Sequence, residues 1–456
     1  MSGQRDRWTS DIGFLTAAVG SAVGLGTIWR FPYSIGSSGG GAYVLAYLLV
    51  VSLVVLPILM AEMVIGRRGQ RSPPDAMRAI AQESGASPAW HWVATTQFLG
   101  AFIVLAFYCV VGGWTLAYVM PMASGAFDGQ GPAEVQALFD ALNASAPRMV
   151  FWHGLFLVLT ASVSIGGISA GVERISNILM PLFFLMLLGL AIYACAVGDV
   201  AATSRFLFQP DITKLTADVW LNVLGQAFFS IGAGSTVYMA YASYAGKSLN
   251  IVRASWVIAL AVVFVSILAG LAIFPIVFQY GLSPNSGPGL AFVTLPLAFA
   301  KMPGGQFFGV VFLLLLFVAA ITSSVSMLEV TVSRFVDRFQ MSRRAAVLSA
   351  TAIAWVLGIM AALSFNVLAD VHPLAMVPAF AKKTFFDLFN EFAANVLLPV
   401  GGLCLTIFAG WIMRDSATAA ELGTNEASAG FRVWRFLIRY VAPVAVVVVF
   451  WMSTFG

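Results

Sequence analysis

Charge and reactive side chains are scarce in this sequence. Only 10% of its 456 residues are Asp, Glu, Lys or Arg, against about 25% in an ordinary soluble domain, so a surface that faces water on all sides is excluded. The three cysteines, Cys109, Cys195 and Cys404, each sit in an apolar run without CxxC spacing, which excludes a disulfide framework and a zinc cluster. The three histidines, His91, His153 and His372, are scattered near the ends of apolar stretches. No GxSxG elbow, HExxH pair or phosphate-cradling glycine loop is present, and no face gathers paired carboxylates or an activated nucleophile, so nothing marks an enzyme. A net charge of +4 over this length points to no nucleic-acid partner.

What the chain has in excess is apolar residues, 60% of the total. A helix needs roughly 20 of them to cross a bilayer. Windows of about that length mark spans near 11–35, 41–66, 88–122, 150–167, 176–197, 218–243, 252–279, 294–332, 345–364, 385–413 and 433–454. The expected fold is an all-α polytopic membrane protein of about eleven transmembrane helices. The first stretch does not read as a cleavable leader, because it continues through Gly24-Leu25-Gly26 into Trp29-Arg30-Phe31-Pro32 without a cleavage site. With the N-terminus in the cytoplasm, every one of the 24 lysines and arginines except Arg30, Arg148, Arg205, Lys214, Lys301, Lys382 and Lys383 falls on the inner side. That is the bias a membrane protein carries, and an odd number of spans then puts the C-terminus outside. The longest polar connections, 123–149 and 414–431, read as an external and an internal loop.

Two spans are interrupted in their middles, by Gly20-Ser21-Ala22-Val23-Gly24-Leu25-Gly26 and by Ser230-Ile231-Gly232-Ala233-Gly234-Ser235. Small residues of this kind also serve close helix packing. Their pairing favours a site, since they stand at corresponding places in spans 1 and 6, as two halves of an inverted repeat would put them. Irregular backbone at that depth survives only where protein buries it or a cavity meets it. Half-helix N-termini there offer N–H groups to an anion, and freed carbonyls face a cation.

The residues around these breaks resemble the neurotransmitter:sodium symporter family, in its bacterial amino-acid transporter branch. The resemblance lies in Ser21 to Gly26, Ile28-Trp29-Arg30-Phe31-Pro32-Tyr33, Gly39-Gly40-Gly41-Ala42, Tyr108 with Gly113-Trp114, Gly225-Gln226-Ala227-Phe228-Phe229-Ser230, Tyr241-Ala242-Ser243-Tyr244, and Ala319 with Thr322-Ser323-Ser324. It covers nearly the whole chain, in order. It implies a 5+5 inverted repeat with helices 1 and 6 broken: a latch over 1–10, repeats over 11–197 and 218–413, and a loop with a last span over 414–456. It also implies a bacterial inner membrane and sodium-driven transport of an amino acid or similar zwitterion by alternating access.

Residue by residue, the resemblance implies a cargo site of Ala22, Leu25, Gly26, Val104, Tyr108, Phe229, Ser230, Gly232, Ser235, Ser323 and Met327. The N–H groups of Leu25 and Gly26 and the Tyr108 hydroxyl would hold a carboxylate, and the carbonyls of Ala22, Phe229 and Ser230 an ammonium. Gly24 stands where monoamine carriers have Asp, which points to a cargo that brings its own carboxylate. One sodium would lie among Gly20, Val23, Ala319, Thr322 and Ser323. For the family's other sodium only Ala22, Thr27 and Ser230 remain, with Val262 where an Asn or Asp is usual, so that site is expected to be weak, altered or absent. Tyr47, Gln226, Ser230 and Ser266 match a chloride site. Arg30 matches an outer gate whose acid is replaced by Asn390, with Glu391 or Asp387 as substitutes, and Arg5, Trp8, Tyr244 and Asp337 match an inner latch. Glu62 is expected to brace the broken first helix. Glu329 has no assigned role. A proton-coupled carrier, with Glu62 or Glu329 titrating, and an uncoupled channel or sensor are the competing readings. The sequence leaves the oligomeric state open.

Overall fold

The computed structural model of the chain describes residues 6–283 and 290–455, and the regular structure among them is helical. Each expected span holds a helix. Span 1 is two helices, Asp11–Ala22 and Gly26–Ser37, bent by 48° at their junction. Spans 2 to 5 are Gly41–Gly69, Pro88–Ala123, Ala146–Ile165 and Ile168–Val197. Span 6 is again two helices, Ala217–Ile231 and Val237–Ala242. Span 7 is Ile251–Gln279, span 8 Gly305–Phe339 and span 9 Arg343–Leu363. Span 10 runs from Phe385–Glu391 through Phe392–Leu397 to Leu398–Ile412, and span 11 from Ala429–Phe436 through Leu437–Val441 to Ala442–Phe455.

Three stretches differ from the sequence reading. The run over 294–332 splits into a short helix, Thr294–Ala300, and span 8, because Gly304 takes a left-handed conformation with φ +66. The two polar connections are not bare loops; they contain the helices Pro132–Ala144 and Asp415–Glu421. In spans 2 and 10 a π-helical turn, Val51–Val55 or Phe392–Leu397, ends two residues before Pro57 or Pro399. A proline donates no bond to the turn before it and crowds the carbonyl four residues back, and a widened turn relieves both.

Spans 3 and 8 pack along each other at the centre, with 83% and 72% of their most apolar windows buried, whereas spans 4, 5 and 9 bury only 33–39% and turn apolar faces outward. The breaks meet this centre. At Val23 the first helix leaves helical conformation (φ −87, ψ 72), and its N–H still bonds back to the Val19 carbonyl at 2.8 Å. In span 6, Gly232, Gly234 and Thr236 all have positive φ (+75, +85 and +63). Gly234 is doubly constrained, since a Cβ there would stand 2.7 Å from the Leu398 carbonyl oxygen.

Groups freed at this depth need partners from the protein. Tyr108 accepts the Leu25 N–H at 3.1 Å, Gln226 donates to the Gly26 carbonyl at 2.8 Å, and Tyr238 donates to the Ile231 carbonyl at 2.6 Å. Glu62 accepts the Gly234 N–H, with the N–H groups of Thr236, Tyr238 and Met239 facing the same carboxylate. Glu62 therefore braces the sixth helix and not the first. The start of the inner half-helix exposes unpaired N–H groups, and a carboxylate is the acceptor that suits them. We expect Glu62→Ala to destabilise the protein by about 2–3 kcal/mol, the cost of orphaned buried donors, and Glu62→Gln to do less harm. Thermal unfolding in detergent measures this, and an unchanged midpoint for the alanine variant would count against the brace.

Candidate functional site

The two breaks enclose one cavity of about 60 Å³, with Ser21, Ala22, Gly24 and Gly26 on one side and Phe229, Ser230, Ile231, Gly232, Ser235 and Val237 on the other. Span 3 contributes Ala101, Val104 and Tyr108, span 8 Ser323 and Met327, and span 10 Leu398. Ten of the eleven expected cargo residues line it, and the eleventh, Leu25, meets it through the N–H held by Tyr108. Glycine is required in two places. A Cβ on Gly24 would stand 2.6 Å from Ser323 Oγ and 2.8 Å from Tyr108 Oη, and one on Gly26 would stand 2.6 Å from Phe229 Cδ1. No acidic side chain fits at Gly24. Ser21, Ala101, Ile231, Val237 and Leu398 were missed from the sequence. Ala101 was legible, for it lies on the helical stripe of Val104 and Tyr108; Leu398 left no signal.

At the corner expected to hold sodium, two span 8 hydroxyls bond main-chain carbonyls. Thr322 Oγ1 bonds the Val318 and Ala319 carbonyls at 3.0 and 3.2 Å, and Ser323 Oγ bonds Ala319 at 3.1 Å and, across the gap, the Ser21 carbonyl at 3.0 Å. A Cβ on Gly20 would lie 3.3 Å from Thr322 Cβ, so the first half of span 1 is in contact with span 8. At the other expected position the groups satisfy one another. Thr27 Oγ1 donates to the Ala22 carbonyl at 3.2 Å, Ser230 shares a 2.7 Å bond with Tyr47, and Val262 is fully buried carbon. Of the four residues that match a chloride site, Ser230 and Ser266 both face the Tyr47 hydroxyl. Ser266 donates to its own Val262 carbonyl at 2.8 Å, and the Gln226 amide is turned to Gly26.

At the outer gate neither expected acid meets Arg30. Arg30 lies 4.6 Å from the centroid of Phe229, which lines the cavity. Neither proposed acid reaches it: Glu391 pairs with Lys383 at 3.0 Å, and Asp387 caps its helix through Thr384 at 2.9 Å. Asn390 is exposed. On the opposite face, Arg5 lies outside the described residues. The Trp8 indole donates to the Tyr241 carbonyl at 2.9 Å, and Asp337 accepts the Ser72 N–H at 2.6 Å. The Tyr244 hydroxyl donates to Glu329 at 2.8 Å, so Glu329 belongs to the latch.

Arg343 completes that network and was missed. It binds Glu329 at 2.6 and 3.1 Å, the Ser164 carbonyl at 2.8 Å, and Asp6 at 4.0 Å. A buried acid in span 8 needed a cation, and Arg343 opens the next span just after the turn at 340–342. Glu173, also missed, accepts the Thr9 N–H at 2.8 Å. Nearby, burial pushes the Asp75 carboxyl up, while hydrogen bonds from Arg334 (2.6 Å) and Ser72 (2.9 Å) outweigh it and hold it below the usual range.

Residues 5–127 and 143–455 match the model of the sodium:neurotransmitter symporter family. An uncharacterized sodium-dependent transporter of Bacillus subtilis is 37% identical over 446 residues, 97% of this chain and 96% of its own. Another, from Haemophilus influenzae, is 31% identical over 99% of both. A sodium- and chloride-dependent GABA transporter of Drosophila melanogaster is 25% identical over 74% of this chain and 40% of its own length. The crystal structure of MhsT in complex with L-phenylalanine superposes with a TM-score of 0.89 at 36% identity, covering 99% of this chain and 100% of that one. With two broken helices meeting at one cavity and likeness that runs from end to end, the chain belongs to the sodium:neurotransmitter symporter family and is a sodium-coupled multi-pass membrane transporter, not an enzyme.

Proposed function

We propose that the protein carries an amino acid across the inner membrane of a bacterium together with one sodium ion, by alternating access around the cavity between spans 1 and 6. The observation that carries this reading is the pairing of Tyr108 with the Leu25 N–H at the cavity edge. A hydroxyl and main-chain N–H groups at the start of a half-helix are the donors a carboxylate needs, and the absence of any acid at Gly24 leaves the cargo to supply its own. The carbonyls of Ala22, Phe229 and Ser230 would take the ammonium. MhsT, crystallised with L-phenylalanine, supports the cargo class. The two repeats, 11–197 and 218–413, would move against each other, with residues 1–10 as the latch. The N-terminus would be cytoplasmic and the C-terminus external.

The single ion belongs with Gly20, Val23, Ala319, Thr322 and Ser323. Sodium prefers oxygen, and the Thr27, Ala22 and Ser230 group has the buried carbon of Val262 where a further oxygen ligand would be needed. Tyr47, Ser230 and Ser266 satisfy one another, so the reading needs no chloride. A proton-coupled carrier is disfavoured by the work Glu62 already does on the sixth helix.

Uptake into proteoliposomes should rise with sodium at a Hill coefficient of about one and should not change when gluconate replaces chloride. Thr322→Val should raise the half-saturating sodium concentration by about tenfold, the loss of roughly 1.4 kcal/mol, while Thr27→Val leaves it unchanged. Cooperative activation lost separately at both positions would show two ions. For the carboxylate, Tyr108→Phe should weaken amino-acid binding by about 10- to 100-fold, the range for a hydrogen bond to a charged group. Calorimetry reads that loss, and unaltered affinity would remove Tyr108 from the site.

A further inference from the structure

Gln97 lies in span 3 one turn before Ala101, which lines the cavity. It is 1% exposed, and among the described residues neither its Nε2 nor its Oε1 meets a hydrogen-bonding partner. A carboxamide can make up to four such bonds, and at membrane depth no lipid supplies them. Its side chain fills the space in front of Gly401 in span 10, where a Cβ would stand 2.6 Å from Gln97 Cγ and 2.7 Å from Cδ. Gly401 lies one turn after Leu398, the span 10 residue of the cavity. The carboxamide is packed on span 10 one turn beyond the Ala101–Leu398 layer, outside the cavity lining. The wall around that layer is small: Gly232 lines the cavity, and Gly234 packs so tightly on span 10 that a Cβ would be 3.1 Å from the Gly402 nitrogen.

We propose that Gln97 reads the cargo side chain, and that the cargo is an amino acid whose side chain ends in an uncharged hydrogen-bonding group such as a carboxamide. The inference rests on the amino-acid reading of the cavity. With the carboxylate at Leu25 and Gly26, the side chain points away from the span 1 break, towards Val104, Ala101 and Leu398. The Gln97 carboxamide can donate to a carbonyl and accept from an N–H together, so a polar tail three or four atoms long that displaces the packing at that layer finds a matching partner there. A shorter or wholly apolar tail leaves Gln97 unmatched, and a site built for hydrogen bonding discriminates strongly against such a cargo.

The test compares L-glutamine with L-methionine, whose side chains are similar in length and volume, in sodium-dependent uptake and in ligand-induced thermal stabilisation of the full-length protein. Wild type should favour glutamine by at least about tenfold. Gln97→Leu should lose that preference by a similar factor, with methionine uptake kept or improved and the midpoint without ligand unchanged or raised, because an unmatched polar group has been removed. Equal handling of the two amino acids by wild type, or a glutamine preference that survives Gln97→Leu, overturns the role of Gln97. In either case sodium-dependent uptake of methionine leaves the broader amino-acid reading standing. Failure of both amino acids to bind with sodium would overturn the role of Gln97, and failure of L-phenylalanine as well would defeat the broader reading.

Discussion

Main-chain hydrogen bonding at membrane depth is the constraint on which the rest of this molecule depends. A helix that unwinds inside a bilayer exposes donors and acceptors that lipid cannot satisfy, so each break must be staffed by side chains of the protein. Tyr108, Gln226, Tyr238 and Glu62 do this, and they come from spans 3, 6, 6 and 2. The breaks are therefore not loose joints. They are partnered, and the same stretches supply Ala22, Gly26, Phe229 and Ser230 to the cavity lining, with Leu25 bordering it through the N–H that Tyr108 holds. Bracing and binding are two parts of one accounting of backbone polarity.

The two faces of the protein are closed with different strength. On the face that carries the N-terminus, a fully buried Glu329 pairs with Arg343, receives the Tyr244 hydroxyl, and is linked through Arg343 to Asp6 and Ser164. Removing one member of such a buried pair costs on the order of 3–5 kcal/mol. On the far face, Arg30 rests on the Phe229 ring, and among the described residues no acid pairs with it; a cation–π contact of this kind contributes roughly 0.5–2 kcal/mol. Polar ties between segments are therefore denser on the N-terminal side than at Arg30. A ligand moves an equilibrium between two closures only by its preference for one of them.

Much of this was legible in the sequence. The spans were visible as apolar runs, because lipid demands length and hydrophobicity in one segment, and the breaks were visible because Gly20 to Gly26 and Ser230 to Ser235 interrupt such runs. Features that depend on a second segment were not visible. Glu62 could be identified as a brace, but its object could not, since only the fold brings it to Gly234. Glu329 had no role until Arg343 was placed beside it, and Glu391 and Asp387 were plausible gate acids until Lys383 and Thr384 claimed them. A charged residue announces that it needs a partner; the sequence does not say which of several candidates the turn geometry will deliver.

A single sodium ion is sufficient for the work proposed. Its cost at the site is modest, because the Thr322 and Ser323 hydroxyls and the Ala319 carbonyl are already gathered on one helix face. Its yield follows from charge. A zwitterion carries none across the membrane, so one sodium moves one elementary charge, worth about 2.3 kcal/mol per 100 mV. A tenfold sodium gradient adds roughly 1.4 kcal/mol, and the sum supports accumulation on the order of several hundred-fold. A second ion would raise that limit but would also require an oxygen at position 262, where the packing is carbon. On the proposed reading, the cargo carboxylate would be held by neutral donors alone: the Tyr108 hydroxyl and the N–H groups of Leu25 and Gly26. These would orient the carboxylate without neutralising it, so affinity would depend on the half-helix dipole behind those groups and on whatever the side chain of the cargo finds in the rest of the cavity.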